Sequence, residues 1–488
     1  MKLFFAASEV APFIKTGGLA DVAGSLPNAL AKLGHDVRVI LPLYSAIPAM
    51  WRRQMTFLKS FHFPLSWRNA YCGLFSLAYQ GLTYYFIDNE YYFQREGLYG
   101  QFDDGERFAY FSRAVVEVPI QLGWSPDIIH CNDWQTSLVP VYLLEARHRE
   151  PLLMHTESVF TIHNIEYQGR LALSSVTDLL GLSWERWHET LEMGSCANAM
   201  KAGMMTADAV TTVSPTYAGQ LLDPAYACGL ESVVRLCEGK LRGVLNGIDV
   251  ETIDPRTAKG IAANFGPDDL AGKAACKAAL QRDAGLEVCA DAPVVSIVSR
   301  LVGHKGTDLV VQALDGIVEC GCQLLVLGQG ETHYENAFRE AQARWPGRVS
   351  AQITYSDGLA RRVYAGSDLL LMPSRSEPCG LSQMIAMRYG TVPIVRSTGG
   401  LRDTVLPPGS AEGCGFVFEQ YDAYHLLCEV RRAAQMLRQA PDEFAALRRR
   451  GMTKDFSWDA SAREYLRIYE SISGRYTRPC DIRRRKFL

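Results

Sequence analysis

Apolar residues along this chain recur in two periods. Residues 2–7 form a short apolar run, residues 21–33 repeat apolar positions at helical spacing, and residues 36–41 are apolar again after Gly34. With Gly17-Gly18 in the first turn, this predicts strand, glycine loop, helix and strand, a βαβ unit. Further short apolar runs at 127–130, 159–163 and 209–213 alternate with helix-like segments, the pattern of a parallel, doubly wound sheet. A second series starts after Asn246-Gly-Ile-Asp249. It has strands at 294–298, 324–327, 349–353, 369–372 and 392–395, and a helix at 308–318. The expected fold class is α/β, two Rossmann-like doubly wound domains in tandem at 1–245 and 246–458. Residues 264–291 read as a helical insertion before the second sheet. Residues 441–467 have helical spacing broken at Phe456-Ser-Trp458, which predicts a closing helix within 459–488 that crosses back onto the first domain.

The length of 488 residues agrees with two domains rather than one core. Fifty basic and 53 acidic residues leave a formal charge of −3, so nothing selects nucleic acid or an anionic membrane as partner. The basic tail Arg483-Arg-Arg-Lys486 is the one exception and reads as a solvated terminus. No apolar run approaches a membrane span, and Leu3-Phe-Phe-Ala-Ala opens the chain as a strand rather than a signal peptide, so a cytoplasmic location is expected. The 13 cysteines are scattered among apolar neighbours, with Cys320-Gly-Cys322 the only close pair. Neither a zinc site nor a redox pair is expected from that spacing.

Chemistry is concentrated where strands end. Pro373-Ser-Arg-Ser-Glu-Pro-Cys-Gly-Leu-Ser-Gln sets Glu377 between the strand at 369–372 and a helix at 381–389, where open α/β sheets bind ligands. The plainer role for Glu377 is to cap that helix. Arg300 and Lys305 share the loop after strand 294–298, two cations able to grip a diphosphate or simply solvated. Lys15 precedes Thr16-Gly17-Gly18 and suits a phosphate contact or an ordinary surface position. His163 ends the strand at 159–163, and His130-Cys-Asn-Asp133-Trp-Gln135 is a polar cluster that equally describes a turn. Thr16-Gly-Gly-Leu-Ala-Asp21 is echoed by Thr398-Gly-Gly-Leu-Arg-Asp403, and both glycine pairs would let backbone approach a ligand, by duplication or by convergence on one turn. Tyr91, Tyr92 and Phe93 suit either a sugar-stacking surface or buried packing.

Taken together, several motifs resemble the bacterial glycogen synthase and plant starch synthase family. They are Lys15-Thr-Gly-Gly-Leu-Ala-Asp-Val22, His130-Cys-Asn-Asp-Trp134, Phe160-Thr-Ile-His-Asn164, Val213-Ser-Pro-Thr-Tyr217, Val244-Leu-Asn-Gly-Ile-Asp249, Ser299-Arg-Leu-Val302 with Lys305-Gly306, and Pro373 to Gln383 with Arg388 to Arg396. The resemblance implies a retaining glycosyltransferase of GT-B architecture, with two domains facing a deep cleft, moving glucose from ADP-glucose to the non-reducing end of an α-1,4-glucan. It implies that Lys15 contacts the sugar nucleotide, that Arg300 and Lys305 hold its diphosphate, and that Glu377 lies beside the transferred glucose. His163 and Asn246 would line the same pocket, and Tyr355 would pack on the base. By the resemblance Glu377, His163, Arg300 and Lys305 are the catalytic set, and the substrate-binding set of Lys15, Asn246 and Tyr355 is completed by Gly17, Gly18, Asp21, Asp133, Asn164, Cys379, Gly380, Leu381 and Ser382. No metal or other cofactor is expected, and the partners are ADP-glucose and glycogen or another α-1,4-glucan.

The sequence departs from the family pattern at Ser376, where phenylalanine is usual, at Gln135, where histidine is frequent, and at Gly303-His304 before Lys305. Ile385 stands where many related transferases carry a second glutamate. With one well-placed carboxylate, same-face attack is favoured over double displacement. The alternatives are a related transferase using UDP-glucose and a non-catalytic glucan-binding paralogue. Four charged residues kept at strand ends argue against the paralogue.

Overall fold

The computed structural model describes residues 1–474, and the basic tail at 483–486 lies outside the described residues. The chain forms two compact units. The first comprises residues 1–213, 218–247 and the chain from Trp458 on, and the second comprises residues 214–217 and 248–457.

The first unit carries strands β1 (Lys2–Ala6), β2 (Asp36–Pro42), β3 (Thr56–Leu65), β4 (Arg68–Tyr79), β5 (Leu82–Asp88), β6 (Ile128–Asn132) and β7 (Glu157–Ile162). They are followed by β8 (Arg170–Ala172), β9 (Glu192–Met193), β10 (Cys196–Asn198), β11 (Ala209–Thr212) and β12 (Leu241–Gly243). Nine of them make one sheet in the order β12-β11-β7-β6-β1-β2-β5-β4-β3, and β8, β10 and β9 make a small separate one. Strand β4 runs antiparallel to both β3 and β5, so the large sheet is mixed and not the purely parallel sheet expected. The β3–β4 hairpin escaped the sequence pattern because its outer strand alternates exposed and buried side chains on a sheet edge, without a continuous apolar run. The central strands β6 and β7 are buried throughout, and β1 is buried from Leu3 on.

The second unit carries β13 (Val294–Val298), β14 (Gln323–Leu327), β15 (Val349–Gln352), β16 (Leu369–Met372), β17 (Val392–Arg396) and β18 (Phe416–Phe418). These form one parallel sheet in the order β15-β14-β13-β16-β17-β18. Alternate residues of the central strands β13, β14 and β16 enter two apolar clusters, one on each face: Val295, Ile297 and Leu324 on one side, Val294, Val298 and Leu325 on the other. That double burial is why these strands read as continuous apolar runs.

The order of each sheet reverses at one place. In the first unit the chain winds outward from β1 through β2, and β6 adds to the other side of β1; in the second it winds through β14 and β15, and β16 adds to the other side of β13. Loops at such reversals diverge to opposite faces and leave a crevice at the carboxyl ends of the strands.

Two expectations are refined. The segment 264–291 is not an appendage: its helix Ala271–Asp283 packs on the helix Asp357–Gly366, and Cys276 and Leu280 enter the core. The helix Trp458–Ile472 packs on Gly18–Lys32 in the first unit. There the Tyr469 hydroxyl meets His130 Nδ1 at 2.7 Å, and His130 Nε2 meets Thr161 Oγ1 at 2.6 Å. Burial lowers the pKa of His130 to about 3, so this neutral ring joins helix to sheet and has no free nitrogen for chemistry. Among the described residues no helix is long and apolar enough to cross a membrane.

The amphipathic pattern gave no hint of Lys273, which is buried. Its ammonium donates to the carbonyls of Ala365 (3.1 Å) and Tyr389 (2.8 Å) and to Thr391 Oγ1 (3.0 Å), closing the ends of two helices. Methionine in its place keeps the stem and leaves those carbonyls without a donor. Lys273→Met should therefore cost about 2–4 kcal/mol. The check is urea denaturation, where an unchanged midpoint would show that the carbonyls find other donors.

Candidate active site

In the second unit the reversal lies between β13 and β16, and the loops after these two strands interlock. Lys305 Nζ donates to both carboxylate oxygens of Glu377, at 2.9 and 2.7 Å, and Ser374 Oγ donates to Oε2 at 3.0 Å. Arg375 N–H reaches the His304 carbonyl at 2.9 Å. Glu377 is 5% exposed, and its ion pair is correspondingly shielded from solvent. It does not cap the following helix, Ser382–Arg388, whose cap residue is Leu381.

The loop around Glu377 is held from below as well. Arg396 Nη1 donates to the Ser374 carbonyl at 3.3 Å and the Arg375 carbonyl at 2.7 Å, and the Arg375 guanidinium lies 4.5 Å from the centre of the Tyr421 ring. The second glycine pair serves this packing. A Cβ on Gly399 would sit 2.0 Å from the Glu377 carbonyl oxygen, and one on Gly400 would sit 2.3 Å from that of Cys379. The close approach predicted for Thr398-Gly-Gly is thus to the protein's own backbone. Ser376 has no part in these contacts, so its departure from the family pattern leaves the anchoring of Glu377 intact.

Arg300 is exposed on the loop after β13 and makes no ion pair among the described residues. Tyr355 follows β15 at the same edge of the sheet, more than half exposed, with its hydroxyl donating to Asp357 at 2.9 Å. Cys379 is buried, with its carbonyl accepting from Gln383 Nε2 at 3.1 Å; Gly380 is left-handed at φ 75°, and Leu381 and Ser382 open the short helix.

In the first unit the reversal lies between β1 and β6. After β1, Lys15 pairs with Asp21 at 2.8 Å in the first turn of the helix Gly18–Lys32. Gly17 precedes that helix in an extended conformation, and Gly18 begins it. A residue the sequence reading missed organises the loop: Glu9, buried, accepts the Thr16 N–H and the Thr16 hydroxyl (2.8 Å). Its position, just past the end of β1, was the available signal. Burial raises its pKa despite these bonds.

After β6, Asp133 has φ 56° and ψ 179°, a region that side-chain-bearing residues rarely occupy. Its carboxylate accepts N–H bonds from His163 (2.7 Å) and Asn164 (3.2 Å). Burial pushes its pKa up to about 7, the two N–H bonds oppose that, and the Glu9 charge adds to it. His163 Nε2 meets Asn132 Oδ1 at 2.8 Å, while Asn132 Nδ2 donates to the Ala6 carbonyl at 3.0 Å. The amide oxygen therefore faces the ring, and Nε2 carries the proton. Burial lowers the His163 pKa to about 3, which leaves a neutral ring whose Nδ1 can only accept. Asn164 Oδ1 accepts the Glu166 N–H at 3.0 Å and shapes the turn. Asn246 is buried, and its Oδ1 has no hydrogen-bond partner among the described residues. Gln135 Oε1 is in the same state. Among the described residues no group of three or more His, Cys, Asp or Glu side chains is arranged to hold a metal ion.

The structure thus brings together Glu377 with Lys305, Lys15 with Asp21, and Asp133 with His163 and Asn164. Residues 2–236 match the starch synthase catalytic domain family, and residues 285–442 match glycosyl transferases group 1. Glycogen synthases of Desulforamulus reducens and Ligilactobacillus salivarius are 46% and 42% identical to the chain, each over 97% of it and over 99% and 100% of their own lengths. The catalytic domain of starch synthase IV from Arabidopsis thaliana, solved bound to ADP and acarbose, is 33% identical with a TM-score of 0.90, covering 97% of this chain and 99% of that one. Sucrose-phosphate synthase of Thermosynechococcus elongatus, at 18% identity and a TM-score of 0.61 over 96% of this chain and 98% of its own, shares the GT-B fold alone.

Asp133 supplies a test of this electrostatic picture. Its folded pKa lies above the ordinary 3.8, so the native state binds its proton more tightly than the unfolded chain does. The stability this lends is complete at low pH and is lost as pH rises from 3.8 through about 7. Asp133→Asn keeps an oxygen for the two N–H groups and does not titrate. The melting temperature of the variant minus that of the parent should climb across this window and level off above it. A difference independent of pH would mean that the two N–H bonds cancel the effect of burial and leave the folded pKa at its ordinary value.

Proposed function

The chain belongs to the glycogen synthase and starch synthase family of glycosyltransferases, and from that membership we propose that it transfers glucose from ADP-glucose to the non-reducing end of an α-1,4-glucan with retention of configuration. The observation that carries this reading is the doubly bonded Lys305–Glu377 pair at the chain reversal of the second unit, with Arg300 on the same loop. The ADP bound by the Arabidopsis starch synthase supports ADP as the nucleotide.

Breaking the glucosyl–phosphate bond builds positive charge on the sugar ring and negative charge on the departing ADP. Arg300 and Lys305 are assigned to the diphosphate, and Glu377 to the ring. In this reading they carry the charge without a metal or other cofactor. Lys305 is bound to Glu377. A diphosphate that draws the ammonium toward itself exposes the Glu377 carboxylate to the ring, so both charges are stabilised more in the transition state than in the ground state. In same-face attack the acceptor hydroxyl oxygen bonds to C1 as the C1–O bond to phosphate breaks, and the hydroxyl proton passes to the departing phosphate oxygen. Neutral His163 accepts a hydrogen bond from a sugar hydroxyl through Nδ1 and transfers no proton. The exposed Tyr355 ring is offered to the base, and Lys15, steered by Asp21, contacts the sugar nucleotide. The setting is the cytoplasm.

Nucleotide release should depend on added glycogen and be strong with ADP-glucose and weak with UDP-glucose; the reverse preference would overturn the donor assignment. Glu377→Ala should lower kcat by about 10²–10³-fold. Because it frees Lys305, ADP should bind as tightly as before or more tightly, measured by calorimetry. Turnover kept with ADP affinity lost would reduce Glu377 to a binding residue. Lys15→Ala should weaken donor use, and unchanged donor kinetics would remove Lys15 from the site.

A further inference from the structure

Tyr421 follows β18 in the second unit, half-buried and packed against the apolar core ahead of the helix Ala423–Gln439. Its hydroxyl engages residues on either side of Lys305, and its ring lies against one arginine of the Glu377 loop and another that supports that loop. We propose that Tyr421 is a positioning residue for glucosyl transfer, holding the Lys305 and Glu377 loops in the register that pairs their side chains. The inference rests on the reading of the chain as a glucosyltransferase.

The hydroxyl serves the first loop. It lies 2.7 Å from Asp308 Oδ1 and 3.2 Å from the Gly303 carbonyl oxygen. Both are acceptors, so the phenolic proton is donated to the nearer Asp308 and shared with Gly303. Burial and the bond to the Asp308 carboxylate push the Tyr421 pKa up to about 12, which keeps that proton in place. Gly303 opens the tight turn Gly303–Lys305, and its carbonyl also accepts the Gly306 N–H at 3.0 Å. Asp308 stands in the first turn of the helix Thr307–Glu319. One hydroxyl therefore bridges the start of the turn to the start of the helix, and Lys305 lies between them.

The ring serves the second loop. The Arg375 and Arg396 guanidiniums lie 4.5 and 5.6 Å from its centre, within the range of cation–π attraction. Arg396 donates to the Ser374 and Arg375 carbonyls and, through Nε, to the Glu419 carbonyl at 3.2 Å. The same guanidinium thus ties the segment ahead of Tyr421 to the Glu377 loop. From ring to carboxylate the path runs through Arg396 and Ser374, whose hydroxyl donates to Glu377 Oε2.

Core packing requires only the ring. The hydroxyl adds two acceptors that flank Lys305, and the ring gathers two cations around the loop of its partner. A cation that leaves its carboxylate for a diphosphate needs both loops to keep their places while it moves, because a misplacement of about 1 Å costs about 10²-fold in rate. Gly303 and His304 take part through their carbonyls, His304 accepting the Arg375 N–H, so their departure from the family pattern leaves the arrangement intact.

The test separates positioning from stability. Tyr421→Leu, which removes ring and hydroxyl, should lower kcat about 10²-fold and leave KM for glycogen within about twofold. Tyr421→Phe keeps the ring and should recover most of that loss, to within about fivefold of the parent, the worth of one hydrogen bond. A lowered urea midpoint with kcat per folded molecule unchanged would make Tyr421 a stability residue and overturn the proposal. The decisive comparison places Tyr421→Leu in the Glu377→Ala variant. Because Tyr421 acts through the pair, its further cost there should shrink to about tenfold or less. An undiminished loss in that background would also overturn the proposal. Should Tyr421→Leu fail to fold, Tyr421→Phe with and without Glu377→Ala makes the same comparison. Labelling of Lys305 by an N-hydroxysuccinimide ester, read from peptide masses, requires no turnover. It should be at least about threefold faster in Tyr421→Leu, as the ammonium spends less time on the carboxylate. Faster labelling in a chain whose parent transfers no glucose would sink the synthase reading and leave the hold of Tyr421 on the pair standing. In a parent that does transfer glucose, an unchanged kcat in Tyr421→Leu would sink this inference alone.

Discussion

Two loops of the second unit pass so closely that neither can move alone. A Cβ on Gly306 would lie 2.1 Å from the Pro373 carbonyl oxygen, and Gly306 adopts φ 75°, so both space and backbone conformation demand glycine there. That contact brings the end of the Lys305 loop against the start of the Glu377 loop. The doubly bonded ion pair, the Arg375–His304 hydrogen bond and the support from Arg396 all follow from it. Placement at the sheet reversal gives this contact its chemical meaning, because it is there that the fold leaves strand ends uncovered.

The two reversals solve the problem of buried charge differently. In the second unit a cation neutralises the carboxylate directly, so Glu377 stays buried through its bond to Lys305. In the first unit Glu9 and Asp133 have no cation as their main partner; backbone N–H groups and a hydroxyl serve instead, and burial raises the pKa of both. The neighbouring imidazole is held neutral by the same scarcity of water. Under the proposed function, the directly paired carboxylate is the one whose cation can be exchanged for the phosphates of the donor.

Much of this was legible in the sequence. The strands β13, β14 and β16 appear as apolar runs because both faces of their sheet are covered, and Glu377, Lys305, Arg300 and Lys15 stand out because each follows an apolar run. The β3–β4 hairpin was not legible, since an edge strand with one wet face offers only alternation. Glu9 was missed for a different reason: a lone acidic residue after a strand looks like any loop position, and its burial is created by the loop that folds over it. Lys273 is the clearest case. A lysine at a helix position in a polar sequence is normally solvated, and only the packing of its helix against Asp357–Gly366 turns its ammonium toward four acceptors.

The echo between Thr16-Gly-Gly-Leu-Ala-Asp21 and Thr398-Gly-Gly-Leu-Arg-Asp403 shows how one local sequence serves two ends. Each glycine pair leads into a helix after a strand, and each motif ends in an aspartate that accepts hydrogen bonds. Asp21 accepts from the exposed Lys15 ammonium, whereas Asp403 accepts from the Thr216 N–H at 3.0 Å and the Thr216 hydroxyl at 2.6 Å, tying the short piece 214–217 into the second unit. The glycines diverge in the same way. Gly17 has nothing closer than 3.9 Å to an added Cβ, while Gly399 and Gly400 are pressed against the carbonyls of Glu377 and Cys379. The first copy therefore leaves the space over Gly17 open, and the second has filled that space with the loop that carries the candidate catalytic carboxylate. The turns themselves differ, Gly17 being extended at φ −154° ahead of its helix and Gly399 left-handed at φ 45° as the first residue of its own, so the likeness of the two segments lies in their sequence and in the strand-to-helix position they occupy, not in one backbone geometry.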